Sequence, residues 1–196
     1  HYRDFDDYDS PSGTVSNSGA TDQGFLARAD HELGPGVFSA SWQSDFGRDI
    51  GRPRNNSQTV RFYYPVEDSH RLTTSYDLRR VGGFERVVFN VFAGSYHQVT
   101  DQDRYATATR GRTLEEADYT ANDFQVRGSA EKLLARSRFE FGVDVNGRIN
   151  VHATDLVQQY SLSGDLATEI TNVSIDEARK LDTGVFGTIE SAVGQK

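Results

Sequence analysis

Apolar and polar residues alternate along most of this chain with a period of two. The clearest run covers residues 136–145, where the apolar face carries Ser137, Phe139, Phe141, Val143 and Val145, and the other face carries Arg138, Glu140, Gly142 and Asp144. Residues 122–131 repeat the pattern directly before it. Successive side chains of a β-strand point to opposite faces, so this alternation predicts strands with one apolar and one charged face.

Further runs of the same kind predict about eight strands in all, many of them near the roughly 9–11 residues of a tilted membrane strand. These runs lie at 25–31, 37–45, 60–64, 71–78, 86–98 and 185–193. The sequence predicts short turns or breaks at 32–36, 65–69, 80–85 and 132–135. Long polar loops are predicted at 43–57, 100–120 and 146–182, with a possible short helix at 175–181.

Short turns at one end and long loops at the other are typical of an outer-membrane barrel. The predicted fold is therefore all-β: part of an antiparallel up-and-down transmembrane β-barrel, with residues 1–196 as one barrel segment. Two alternatives remain open at this stage. One is a complete, small eight-stranded outer-membrane barrel, and the other is a secreted soluble β-sandwich that binds a ligand.

Composition narrows the function classes. Mean hydropathy is -0.63, yet aromatic residues make up 11% of the chain, and a disordered chain of this polarity would be poor in them. The net charge of -8 argues against nucleic-acid binding, which needs a basic surface. No apolar run approaches the roughly 18 residues of a membrane helix, and without cysteine there is neither a disulfide nor a thiolate metal site.

The sequence offers no catalytic constellation. Its five histidines are widely spaced and form no HExxH motif. The segment 144–148 begins like a calcium loop, but Arg148 stands where such a loop needs an acid or amide, so we interpret it as a turn. The segment 34–39 misses the dinucleotide fingerprint and is also interpreted as a turn. We therefore expect no enzyme activity, no cofactor and no metal.

If the apolar faces point outward, charged residues on the other faces line a wet interior. Their arginines offer a fixed fork of donors to a plug or to an anionic chelate. For a single residue, the simpler interpretation is that it keeps the wall hydrated. The candidates for lumen-facing positions are Arg61, Arg71, Asp77, Arg127, Arg138, Glu140 and Asp144.

Several short segments, which together cover most of the chain, follow one another in a recognisable order. They are Tyr8-Asp9-Ser10-Pro11-Ser12-Gly13, Asn17-Ser18-Gly19, the segment 45–54, Gly83-Phe84-Glu85-Arg86, the segment 141–148, Glu177-Ala178-Arg179 and the segment 182–186. Taken in this order, they resemble the early to middle barrel of TonB-dependent outer-membrane receptors.

The resemblance implies a place in the Gram-negative outer membrane and import of a scarce nutrient such as a ferric siderophore, haem or cobalamin. The implied partners are outer-membrane lipid, the chelate and the TonB complex, which acts through a plug domain. The sequence contains no recognisable plug domain and no TonB box. It also contains no final strand that ends in an aromatic residue, since residues 193–196 include none. Family barrels have roughly 22 strands, so the chain is expected to be a piece of a larger barrel.

Overall fold

The computed structural model describes residues 1–53 and 59–191, and these residues form an all-β, antiparallel structure. The middle parts of the long strands contain the alternating runs read from the sequence, since pleated strands need only every second side chain to be apolar. The strands are β1 Tyr2–Phe5, β2 Asp9–Ser10, β3 Gly13–Thr14, β4 Ala20–Leu33, β5 Gly36–Gly51, β6 Val60–Val81, β7 Phe84–Arg104, β8 Thr113–Leu134, β9 Ser137–Tyr160 and β10 Leu166–Ser191.

Eight of these strands make one sheet in the order β1-β4-β5-β6-β7-β8-β9-β10, and every neighbouring pair is antiparallel. The strands β2 and β3 form a small separate hairpin. The all-β, up-and-down prediction is confirmed. Within the described residues the sheet is open, because no strand pairs with the outer edge of β10.

The connections at the two ends of the sheet differ. Three two-residue turns, 34–35, 82–83 and 135–136, lie at one end, which we call the turn end. Gly34, Gly82 and Gly83 have positive φ angles of 57°, 61° and 81°, as tight hairpin turns require. At the opposite end the strands are joined by longer connections. The predicted asymmetry of connections is therefore present.

The predicted long loops are wrong for most of their length. β5 continues to Gly51, β7 to Arg104 and β9 to Tyr160. Backbone ladders do not need apolar side chains, and polar cross-strand pairs such as Gln102 with Glu115 line these extensions. The strands are accordingly 14 to 26 residues long in β4–β10, well beyond the predicted length. The end of the first predicted loop, residues 54–57, lies outside the described residues.

Three local predictions are also wrong. The break predicted at 65–69 is part of continuous β6, which accommodates Pro65 at a register shift between Tyr63 and Val66. The possible helix at 175–181 is part of β10, where the strand carries several register shifts. The segment 144–148 lies within β9 rather than in a turn.

The sheet is a single layer. Among the described residues only Ala121, Val151 and Ala153 are buried apolar residues. The accessible surface is 13215 Å², whereas a compact protein of 21.8 kDa exposes roughly 9,300 Å². Both faces of the sheet are therefore exposed. The side chains on each face determine in which medium, water or an apolar phase, the sheet is stable.

Candidate functional site: the two faces of the sheet

One face of the sheet carries a continuous apolar band across β4–β10, which we call the apolar belt. The registers pair its members directly across the strands, for example Val91 with Val126 and Val126 with Val145. None of its positions is Asp, Glu, Lys or Arg. The belt consists of every second residue, starting from the first, in 25–33, 38–46, 72–78, 87–93, 124–130, 139–149 and 181–189.

The apolar belt is exposed. Phe89, Val143 and Val185 are 51%, 54% and 84% accessible. No other element of the described chain packs on them. Water-soluble monomers rarely expose so large a contiguous apolar surface, which marks contact with a membrane or with another apolar surface.

The height of the belt matches a membrane. In β4 it occupies residues 25–33, which is roughly 30 Å along an extended strand. At a strand tilt of about 40° this gives a band about 23 Å tall, close to the roughly 25 Å apolar band of outer-membrane barrels. The belt is therefore the right size to face lipid.

A small aromatic cluster lies at the end of the belt opposite the turn end. The indole Nε1 of Trp42 donates to the Ser44 hydroxyl at 2.8 Å, and that hydroxyl lies 2.8 Å from Nδ1 of His70. The ring of Phe46 meets His70 edge-on with centroids 5.3 Å apart. Ser44 is only 1% exposed, so its hydroxyl is a structural partner of Trp42 and His70 rather than an accessible nucleophile.

Beyond the cluster the same face turns polar. The two guanidinium nitrogens of Arg48 bind the carboxylate of Asp68, and His97 Nε2 lies 3.0 Å from a carboxylate oxygen of Asp118. Sequence reasoning missed this change because Arg48 and Asp118 fell in predicted loops and Asp68 fell in a predicted break. This change sets one border of the belt, where polar and charged side chains replace apolar ones.

The opposite face carries the charges, and many are paired across strands. Arg86 binds Asp77 through two bonds of 2.9 and 2.8 Å, and Arg148 binds Asp123 at 2.7 and 2.9 Å. Such two-pronged ion pairs are the strong form of charged hydrogen bond. We call this surface the charged face.

Six of the seven sequence-predicted lumen residues lie on the charged face by register. Four of them make polar or ring contacts: Asp77 binds Arg86, Arg138 binds Glu131, Asp144 accepts from Gln125 at 2.7 Å, and the guanidinium of Arg127 lies 4.5 Å from the ring centroid of Phe186. The six are spread over three strands, β6, β8 and β9, and do not converge on one point. They are Arg71, Asp77, Arg127, Arg138, Glu140 and Asp144.

Arg61 differs from those six. The register shift between Tyr63 and Val66 moves it to the side of the sheet that carries the belt, beyond the belt's border. There its guanidinium lies 4.2 Å from the ring centroid of Tyr63. The sequence alternation before Pro65 gave no sign of this inversion, because one extra residue in a strand reverses every later side chain.

The charged face holds an open cavity of about 770 Å³ between β8, β9 and β10. Gln125, Asn146 and Arg179 line it together with two charged pairs. In those pairs Arg148 binds Asp123, and Lys180 lies 2.8 Å from Asp182. The sequence prediction omitted Arg148 and Lys180, since both fell in a supposed loop.

Tyr63 and Glu116 are among the ionisable groups outside the belt whose pKa is shifted. Burial raises the pKa of Tyr63 to about 12, with a further contribution from its hydrogen bond to Asp101. Burial also raises the pKa of Glu116, helped by the nearby carboxylates of Asp101 and Asp118. Residues 1–53 and 59–191 contain no group of three or more His, Cys, Asp or Glu placed to hold a metal ion.

No helix long and apolar enough to cross a membrane occurs in the described part of the chain. Comparisons with protein-family models, with curated proteins and with solved structures give no match to this chain.

Proposed function

We propose that this chain is part of the wall of an outer-membrane β-barrel, in a TonB-dependent transporter that imports a scarce nutrient such as a ferric siderophore, haem or cobalamin. The observation that carries the proposal is the apolar belt, which is free of charged residues across seven consecutive strands. A surface of that height and chemistry is stable against hydrocarbon and unstable against water.

Barrel walls satisfy backbone groups between strands, which is the condition for crossing a membrane without helices. In this sheet β5–β9 are paired on both sides, and the strands are joined by two-residue turns at one end. Tight turns at one end and strands that extend far beyond the belt at the other fit a periplasmic and an extracellular side, respectively.

A wide barrel accounts for the charged face. Small barrels fill their interior with packed side chains, whereas large ones hold water or a plug. The charged face carries accessible charged side chains and an open polar cavity, and such a surface fits a wide hydrated lumen. The guanidinium groups of arginines on that wall can donate two hydrogen bonds to a carboxylate or phosphate group of a plug or a chelate.

The two rival functions predict features that the described chain lacks. A soluble β-sandwich needs a second sheet on the apolar face, and residues 1–53 and 59–191 form one layer instead. A complete eight-stranded barrel needs its first and last strands paired, and the described strands leave the outer edge of β10 open. The transporter family itself is supported by the sequence resemblance.

The proposal is tested in the Gram-negative cell that encodes the chain. The protein is expected in the outer-membrane fraction, released only by detergent, and its gene is expected next to, or continuous with, sequence for a plug domain. Deleting the gene should abolish growth on one iron chelate, haem or cobalamin, to the same extent as deleting TonB. Recovery in the soluble fraction, or uptake that does not depend on TonB, would contradict the proposal.

A further inference from the structure

Two neighbouring hairpin tips at the turn end are basic. They cover residues 79–86 and 131–138, which we call the basic tips, and hold six basic and two acidic residues. The β6–β7 and β8–β9 hairpins lie side by side because β7 pairs with β8. The first tip of the sheet, residues 30–38, contains Asp30 and Glu32 and no Lys or Arg, so the positive charge is local.

Part of that charge is free to meet a ligand. Arg86 binds Asp77 and Arg138 binds Glu131, both on the charged face. Arg80 and Arg136 are exposed and make no ion pair with a described residue, and the ammonium of Lys132 lies 5.8 Å from the ring centroid of Phe84. Glu85 is the one acid of the basic tips without an ion-pair partner among the described residues, and it lowers but does not cancel the excess.

An apolar trough starts beside these cations, on the belt face. Its volume is about 420 Å³, and we call it the trough; Phe89, Gly128, Ala130, Phe141, Val143 and Val185 line it. Gly128 forms its floor: a methyl group there would lie 3.6 Å from the ring of Phe89, so any larger side chain would occupy the space.

Contacts connect the cations to the trough. The ring of Phe84, next to Lys132, also meets Phe141 in the trough, with centroids 5.8 Å apart. Lys132 and Ala130 lie two residues apart on the same face of β8. From Lys132 to Val126 the belt face runs roughly 20 Å along the strand, which at this tilt is about half of a hydrocarbon core of roughly 30 Å.

We propose that the basic tips and the trough together bind an anionic phospholipid, with the headgroup phosphate at Lys132, Arg80 and Arg136 and one acyl chain in the trough. The inference rests on the proposed membrane function and names the lipid class that this part of the wall selects. Charge complementarity decides the headgroup: basic residues at a membrane surface attract anionic lipid, while a zwitterionic headgroup offers no net charge. The apolar trough decides that the ligand is a lipid rather than a free phosphate.

The test measures lipid selectivity with tryptophan quenching. The full chain carries Phe141→Trp in a Trp42→Phe background, because Trp42 is its single tryptophan. It is refolded into phosphatidylcholine vesicles containing equal fractions of brominated phosphatidylglycerol or brominated phosphatidylcholine. We expect the phosphatidylglycerol to bind about fivefold more strongly, the effect of about one basic side chain near the surface, and the preference to fall as salt rises.

Two sets of variants assign the preference. Lys132→Gln with Arg136→Gln should bring the ratio close to one, and Gly128→Val should weaken quenching by phosphatidylglycerol alone. The matched control, Arg104→Gln with Arg110→Gln, removes two charges at the other end of the strands and should keep the fivefold preference. Added glycerol phosphate should not compete at millimolar concentration; if it does, the site binds a phosphate and not a lipid.

The outcomes separate this inference from the membrane proposal. Quenching that is equal for both headgroups, or a control that loses the preference as fully as the tip variant, overturns the phospholipid site and leaves the membrane wall standing. A tryptophan at position 141 that no brominated lipid quenches overturns both.

Discussion

Arg127 lies directly across from Asp144 in the β8–β9 ladder, on the face opposite the apolar belt. One residue along each strand, Val126 pairs with Val145 on the belt. Neighbouring residues of one strand thus place a charged side chain on one face of the sheet and an apolar side chain on the other. Neighbouring positions should therefore respond in opposite ways to the same substitution.

The first prediction compares Val126→Arg with Gln125→Arg. Val126 is 48% exposed on the belt, and an arginine there should lower the unfolding free energy in vesicles by about 2–4 kcal/mol, the cost of arginine facing the bilayer midplane. Gln125 lies on the charged face beside Asp144, so Gln125→Arg should change it by less than about 0.5 kcal/mol. Urea unfolding, followed by Trp42 fluorescence, measures both. Equal losses for the two variants would show that both faces meet the same medium.

Trp42 supplies a second prediction. It is 43% exposed at the border of the belt, and its indole nitrogen is already bonded to Ser44. On refolding into vesicles its emission should shift to shorter wavelength, and bromine near the top of the acyl chains should quench it more than bromine at the chain ends, because aromatic residues favour the interface. Strong quenching by aqueous iodide, with no effect of brominated lipid, would be inconsistent with this position.

Glu116 provides a pH prediction outside the belt. It faces Asp101 across β7 and β8, and burial and that carboxylate raise its pKa. A carboxyl whose pKa is higher in the folded state binds protons on folding, so it opposes folding at neutral pH and ceases to do so as the pH falls to its ordinary value of 4.5. Glu116→Gln should therefore stabilise the fold at pH 7 by roughly 0.5 kcal/mol and have no effect near pH 4.

The neighbouring residue gives the matched control. Glu115 accepts from Gln102 at 2.8 Å and lies 3.4 Å from Arg104. Glu115→Gln should leave the stability at pH 7 unchanged or lower it, since it weakens favourable contacts. Unfolding in detergent at both pH values tests the pair. If Glu115→Gln stabilised the fold by the same amount, the loss of one negative charge from an acidic chain, and not the contact with Asp101, would explain the stabilisation by Glu116→Gln.

The open edge of the sheet gives a fourth prediction. β9 is paired on both sides, while β10 is paired only with β9 in the described chain. In the isolated chain, the outward amides of β10 should exchange with deuterium at least about a hundredfold faster than amides of β9, because an unpaired amide has no bond to break. Residue-resolved exchange in micelles measures this. Uniform protection along β10 would mean that another strand covers the edge.

The sequence predicted the belt better than it predicted the strands. The alternation at 124–130 and 139–145 assigns Phe124 and Phe141 to one face, and the pairing register places both there. The strand extensions were missed because their side chains are polar on both faces, as in Asp101 and Gln102, so the period of two carries no hydropathy signal. Register shifts are also invisible in a sequence, which is why Arg61 lies on the other face.

The contacts in the aromatic cluster and the ion pairs between strands could not be predicted from the sequence. Trp42, Ser44 and Phe46 are evenly spaced along β5, and that spacing indicates a shared face. The third partner, His70, comes from β6, and nothing in the sequence pairs it with Ser44. Contacts between strands depend on the pairing register, and the register depends on the length and conformation of the turns. The sequence indicated where the tight turns lie, but not their conformation.

The central claim is that one face of the sheet meets lipid and the other meets water. The chain has no cysteine, so single cysteines can be introduced at each position from 139 to 147 in β9 and labelled with a nitroxide. In vesicles, the account predicts that odd positions are accessible to oxygen and even positions to a water-soluble nickel complex, alternating along the whole stretch. Equal access of the nickel complex to all nine positions, or odd positions that neither reagent reaches, would contradict it.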